Sequence, residues 1–144
     1  KIVGDMLMEG LDCYMPLVDD HGVDCVIKRE DGVFIEIQIK ARSKDVTDGD
    51  AALFSAITHE LTPNFYFVFY SERLEKTWIL SSKEFLDECV TNKKGKNIGK
   101  HSIWFNGNKK NKVTGIKEEY AFPKYDKYLV SDFSRFHAPS KNVI

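Results

Sequence analysis

Apolar and polar residues alternate most regularly over residues 33–41, Val-Phe-Ile-Glu-Ile-Gln-Ile-Lys-Ala. A period of two predicts a strand with Val33, Ile35, Ile37, Ile39 and Ala41 on one face and Phe34, Glu36, Gln38 and Lys40 on the other. Residues 23–29 form a second strand-like run, and Glu30-Asp31-Gly32 between the two carries the Asp-Gly signal of a tight hairpin. Upstream, residues 1–9 read as the end of a helix closed by Gly10, and 12–16 as a short first strand. Residues 43–50 are a polar loop. Leu53, Phe54, Ile57 and Leu61 recur at helical spacing and predict a helix over 51–61. Residues 65–70 are continuously apolar, as in a strand buried on both faces, and 77–80 form another strand. Ser81, three residues before Glu84, reads as a capping box opening a helix over 83–90. Pro123 suits the first turn of a last helix over about 124–136. Together these elements predict one α/β domain over 1–144, with a mixed central sheet flanked by helices in the order αβββαβ.

Composition narrows the class. The chain has 144 residues, enough for one real core, and its apolar (42%) and aromatic (12%) content suits a folded globule rather than a disordered tail. No apolar run approaches a membrane span, and no signal-peptide pattern is visible at the start. The sequence begins at Lys1 without Met, as a piece of a longer protein would. Cys13, Cys25 and Cys89 are odd in number and widely spaced, so they predict semi-buried thiols in a reducing cytoplasm rather than a disulfide framework or a metal site. His21, His59, His101 and His137 do not pair at metal-ligand spacing, and His59-Glu60 lacks the second histidine of a zinc protease. Trp78 and Trp104 read as core.

Charge changes the picture more than composition does. The net charge is only −1, yet residues 91–117 hold eight lysines (93, 94, 96, 100, 109, 110, 112 and 117) and no Asp or Glu. That stretch is +8 and the rest of the chain −9. Charge of this density can neutralise phosphates, or it can simply solvate a Gly- and Asn-rich loop. Ile103-Trp104-Phe105 within it predicts a strand between two basic loops.

The hairpin carries the candidate chemistry. Asp24, near the start of its first strand, lies across from the end that holds Gln38 and Lys40. A carboxylate, an amide oxygen and an ammonium then converge. Such a set can hold a hard divalent cation beside a phosphate or a water. The alternative is an ordinary half-exposed strand face with Glu36 and Lys40 paired through solvent.

Gly22-Val23-Asp24 followed by Gln38-Ile39-Lys40 resembles the PD-(D/E)XK nuclease superfamily, in the variant with glutamine for the second acidic residue. The approach, residues 14–24, is similar to the segment before the metal-binding aspartate in restriction-like and resolvase-like members. The likeness covers roughly residues 1–80. It implies a restriction-endonuclease-like core and Mg²⁺- or Mn²⁺-dependent hydrolysis of phosphodiester bonds, with DNA ahead of RNA as substrate. Asp24, the Gln38 side-chain oxygen and the Ile39 carbonyl would hold the metal, and Lys40 would orient the attacking water. Glu36, two residues earlier on the same face, would restore the missing charge, with Asp20 a weaker candidate. An acid on the first helix often completes such sites. Asp5 and Glu9 are the helix candidates here, and an acid ahead of Lys1 is the alternative. Nucleic-acid contacts are expected from Lys93, Lys94, Lys96, Lys100, Lys109, Lys110 and Lys112, with Arg42 and Lys44 nearer the hairpin, and from Lys28 and Arg29 should the lysine segment prove a solvated surface. A homodimer is allowed and a membrane is not expected. The alternatives are a nuclease-fold binding module without catalysis, or a protein-interaction domain.

Overall fold

The computed structural model describes residues 1–18, 22–47 and 49–139. The expected hairpin is present. Strand β2 (Cys25–Lys28) pairs antiparallel with β3 (Phe34–Arg42), and Cys25 faces Ile37. The turn between them closes through Arg29 N–H to Val33 C=O at 2.8 Å, with Gly32 at φ +86°, a conformation that only glycine adopts without strain. Ahead of the hairpin come helix α1 (Ile2–Met8) and strand β1 (Asp12–Tyr14), which lies on the outer side of β2.

Strand β3 is long because it is paired on both sides. Its second partner is β5 (Phe65–Ser71), which runs parallel to it and sets Glu36, Gln38 and Lys40 beside Phe65, Phe67 and Phe69. Strand β6 (Lys76–Ser81) then pairs antiparallel with β5. Helix α2 (Ser82–Glu88) follows, opened by the predicted capping box: Glu84 N–H donates to the Ser81 hydroxyl, and the Glu84 carboxylate accepts from Ser81 N–H. Ser81→Ala is expected to cost about 1 kcal/mol, read as a lower denaturation midpoint in urea.

Two predicted helices are corrected. Residues 51–61 contain strand β4 (Leu53–Ile57), not a helix. Phe54 and Ile57 both point inward, three residues apart, because a register shift lies between them and Ala56 takes φ +56°. A bulged strand and a helix thus give the same apolar spacing. Leu61, the fourth residue of the predicted stripe, is 67% exposed. Strand β4 pairs with β8 (His101–Trp104), and β8 with β7 (Val90–Thr91), making a separate three-stranded sheet. The connection between the parallel strands β3 and β5 therefore passes through a strand of this second sheet, where αβββαβ has a helix. Next come β9 (Asn106–Lys110) and β10 (Lys117–Ala121), which form a hairpin.

The predicted helix over 124–136 is also absent. The chain makes a 3-10 turn (Pro123–Tyr128), a short strand β11 (Leu129–Val130) on β6, and a second 3-10 turn (Ser134–Phe136). Tyr125 and Tyr128 bury in the core on one face of the main sheet, whereas Phe133 and Phe136 bury on the other. One straight helix presents one apolar side and cannot serve both faces. The i, i+3 spacing suits tight turns on either side of an edge strand.

The result is a six-stranded mixed sheet, β1-β2-β3-β5-β6-β11, in which only β3 and β5 are parallel. This bears out the α/β class with a mixed central sheet. Ile27, Ile35, Ile37 and Val68 pack under α1 on one face. On the other, Phe65, Phe67, Phe69 and Phe85 meet Phe54, Ile57, Ile103 and Phe105 of the three-stranded sheet. No described helix is long and apolar enough to cross a membrane.

Candidate active site

The register of β3 and β5 places a polar stripe against an aromatic core. Glu36, Gln38 and Lys40 share the sheet face of Phe65, Phe67 and Phe69 one strand away. The phenylalanines are buried beneath β4 and α2, but the stripe on β3 is only half-covered. A cleft of about 630 Å³ opens there. One wall is Gly22, Glu36, Gln38 and Lys40; the other is Ala56, Ile57, Thr58, His59 and Glu60. A second hollow continues from Lys40 past Arg42 and Ser43, with Leu53, Ser55 and Ile57 opposite.

Asp24 sits at the edge of this stripe. The β2–β3 register, carried one residue further, sets it against Gln38. Its N–H donates to Ile37 C=O at 2.8 Å, and its Oδ2 accepts from Ile39 N–H at 2.6 Å. The carboxylate thus replaces the backbone acceptor that β2 would supply had it extended to Ile39. In a strand the N–H and C=O of one residue point to the same side, so the Ile39 carbonyl also faces Asp24. Asp24 Oδ1 takes no hydrogen bond among the described residues.

Gly22 brings the chain close to Gln38. A Cβ there would lie 2.8 Å from Gln38 Nε2, and its φ is +73°. Gly22→Ala is expected to cost about 1–3 kcal/mol of stability through its backbone conformation. It should also displace the Gln38 amide, so any activity of the site should fall more than stability alone explains.

Several sequence candidates lie elsewhere. Asp5 pairs with Lys1, and the Glu9 carboxylate accepts from Phe133 N–H. Their helix packs on the sheet face opposite the cleft, so neither supplies an acid to it. Asp20 and His21 lie outside the described residues. Glu36 lines the cleft, but about 7 Å along the strand from Gln38. Among the described residues no three His, Cys, Asp or Glu side chains gather as a metal cluster. Trp78 is buried as expected, while Trp104 is 36% exposed.

The lysines split into two groups. Lys93, Lys94, Lys96 and Lys100 occupy the 92–100 loop, which leaves the second sheet at His101, beside Ile57 and the cleft. Lys109, Lys110, Lys112 and Lys117 occupy the β9–β10 hairpin at the opposite end of that sheet. There strand pairing sets Glu118 against Lys109, and Glu119 pairs with Arg73 at 2.5 Å. The hairpin is therefore less uniformly basic than its sequence. Arg42 continues the β3 stripe beyond Lys40, and Lys44 N–H donates to the Glu72 carboxylate.

The wall around His59 was not visible in the sequence. His59 packs on Phe65 and Phe67 with ring centres 4.7 and 4.8 Å apart, and its Nε2 is 2.6 Å from the Ser82 hydroxyl. Burial, helped by His101 nearby, holds its pKa below the ordinary histidine value. The only sequence signal was the short His59-Glu60 motif, and the predicted helix pointed away from its role.

The donors fit a hard cation: a carboxylate, an amide oxygen and a backbone carbonyl, all oxygen, beside an ammonium. No family model matches the sequence, and no curated protein matches it. In fold the chain is similar to a bacterial homing endonuclease, I-Ssp6803I, with a TM-score of 0.54 and 16% identity over 89% of this chain and 80% of that one. At that identity the likeness is one of fold: this chain shares the fold of that endonuclease.

Proposed function

We propose that the protein is a metal-dependent nuclease of the PD-(D/E)XK type, cleaving phosphodiester bonds in DNA. The observation that carries this is the Asp24 carboxylate bonded to Ile39 N–H, with Gln38 and Lys40, the residues on either side of Ile39, lining the cleft. The nuclease fold of the solved neighbour supports it. Asp24, Gln38 and the Ile39 carbonyl would hold Mg²⁺ or Mn²⁺. The cation would supply positive charge against the phosphate oxygens as charge develops there. Lys40 orients the attacking water and offsets charge on the phosphate. Glu36, along the cleft, contributes a carboxylate through solvent. Lys93, Lys94, Lys96 and Lys100 hold the backbone near the cleft, with Arg42 and Lys44 at its other end. Lys109, Lys110 and Lys112 would extend the interface to a long duplex.

A plasmid-cleavage assay with Mg²⁺, Mn²⁺ or EDTA tests this proposal: cleavage is expected with either metal and not with EDTA. Among the described residues no three acids gather closely enough to form a metal cluster, which favours a second reading, a nucleic-acid-binding module without catalysis. DNA binding without cleavage in either metal would select it. Neutralising Lys93, Lys94 and Lys96 together is expected to weaken binding to all sequences alike. It should also flatten the log–log salt dependence by about 0.9 for each phosphate that is no longer neutralised. Unchanged slopes across a salt series would mean a solvated loop.

A further inference from the structure

We propose that His59 is a substrate-contacting residue, its Nδ1–H donating to a phosphate oxygen of nucleic acid held across the cleft from Lys40. This rests on the nuclease proposal and adds a residue on the opposite wall. The placement follows from the sheet. His59 lies over Phe65 and Phe67, which share a face with Glu36 and Gln38. Adjacent strands are about 4.8 Å apart, so the ring is one strand from the proposed metal ligands. His59 is half-buried and lines the cleft.

Its tautomer follows from its neighbours. The Ser82 hydroxyl is buried and has two partners among the described residues, Thr62 N–H at 3.0 Å and His59 Nε2 at 2.6 Å. The Thr62 amide can only donate, so the hydroxyl proton has one acceptor, His59 Nε2. The neutral ring then carries its proton on Nδ1. That nitrogen has no partner among the described residues. The backbone is held as well: His101 Nε2 lies 3.3 Å from the His59 carbonyl, and the other nitrogen of His101 lies 3.0 Å from the Thr91 hydroxyl. His59 is thus fixed at main chain and ring, with one donor left over. Ser82 is a positioning residue that acts through it.

The test uses the whole chain and two readouts. Nitrogen-15 NMR of the histidine rings should show His59 protonated at Nδ1, and a short DNA duplex with Ca²⁺ in place of Mg²⁺ should shift that signal. Duplex affinity should fall about tenfold in His59→Gln and His59→Phe, the loss expected for one hydrogen bond to a charged group. It should be largely kept in His59→Asn, whose amide nitrogen can occupy the Nδ1 position. Ser82→Ala should lose the single tautomer and weaken binding. If His59→Phe does not fold, the Asn and Gln variants decide. Equal affinity of His59→Gln and wild type, or a proton on Nε2, would overturn the assignment while leaving metal-dependent cleavage intact. A wild type that binds no duplex would overturn both.

Discussion

Asp24→Asn and Lys40→Ala are each expected to lower DNA cleavage about a hundredfold to a thousandfold while leaving the denaturation midpoint nearly unchanged. Asparagine keeps an oxygen to accept from Ile39 N–H, the bond that ties the start of β2 to β3. It removes the charge that a divalent cation needs. Asp24→Ala should also abolish cleavage, but it strips the acceptor from Ile39 as well. That leaves a strand N–H unpaired at a cost of about 1–3 kcal/mol where water cannot reach it. Asparagine therefore separates chemistry from folding. Lys40 lines the cleft rather than either core, so its truncation should change rate and not fold. Gln38→Glu should hold or raise activity by adding a carboxylate where the amide now sits. Cleavage unchanged in Asp24→Asn, measured with circular dichroism as a control, would move the metal site elsewhere.

Phe67→Ala carries the largest expected effect on stability, about 3–5 kcal/mol in urea denaturation. The ring is fully buried and meets Phe65, Phe69 and Phe85 at centre distances of 5.2, 5.4 and 4.5 Å. Few of these neighbours can collapse into the space, because the sheet fixes two of them and α2 the third. Against a typical domain stability of about 5–15 kcal/mol, such a loss would unfold a measurable fraction of molecules. The same ring supports His59, so residual activity should fall as well. Phe34→Ala on the exposed end of β3 provides the contrast. That ring is 56% exposed, and the change should stay within about 0.5 kcal/mol.

How much was legible in the sequence depended on whether local pattern and tertiary role agreed. From Val33 to Ala41 they agreed: alternation, the Asp-Gly turn and two-sided pairing all demand the same strand. That fixed which of Glu36, Gln38 and Lys40 share a face. The capping box at Ser81 was legible because both halves lie within four residues. Strand β4 was not, since a bulge at Ala56 gives Phe54 and Ile57 a helical spacing. With it went the far wall of the cleft, and with that wall His59. The segment after Pro123 misled for a related reason. Its aromatic residues serve cores on two sides of one sheet, and nothing local announces that division. The lysine count misled about uniformity, because Glu118 follows the segment in sequence but faces Lys109 in space.

The most direct test of the proposed centre is the position of a bound Mn²⁺ ion, located by anomalous diffraction from crystals soaked in MnCl₂. One ion is expected at Asp24, Gln38 and the Ile39 carbonyl, the oxygen donors a hard divalent cation prefers, and it should be missing from Asp24→Asn crystals under the same soak. An ion bound away from these three oxygens, or none at saturating metal, would contradict a metal-dependent nuclease centre at this cleft.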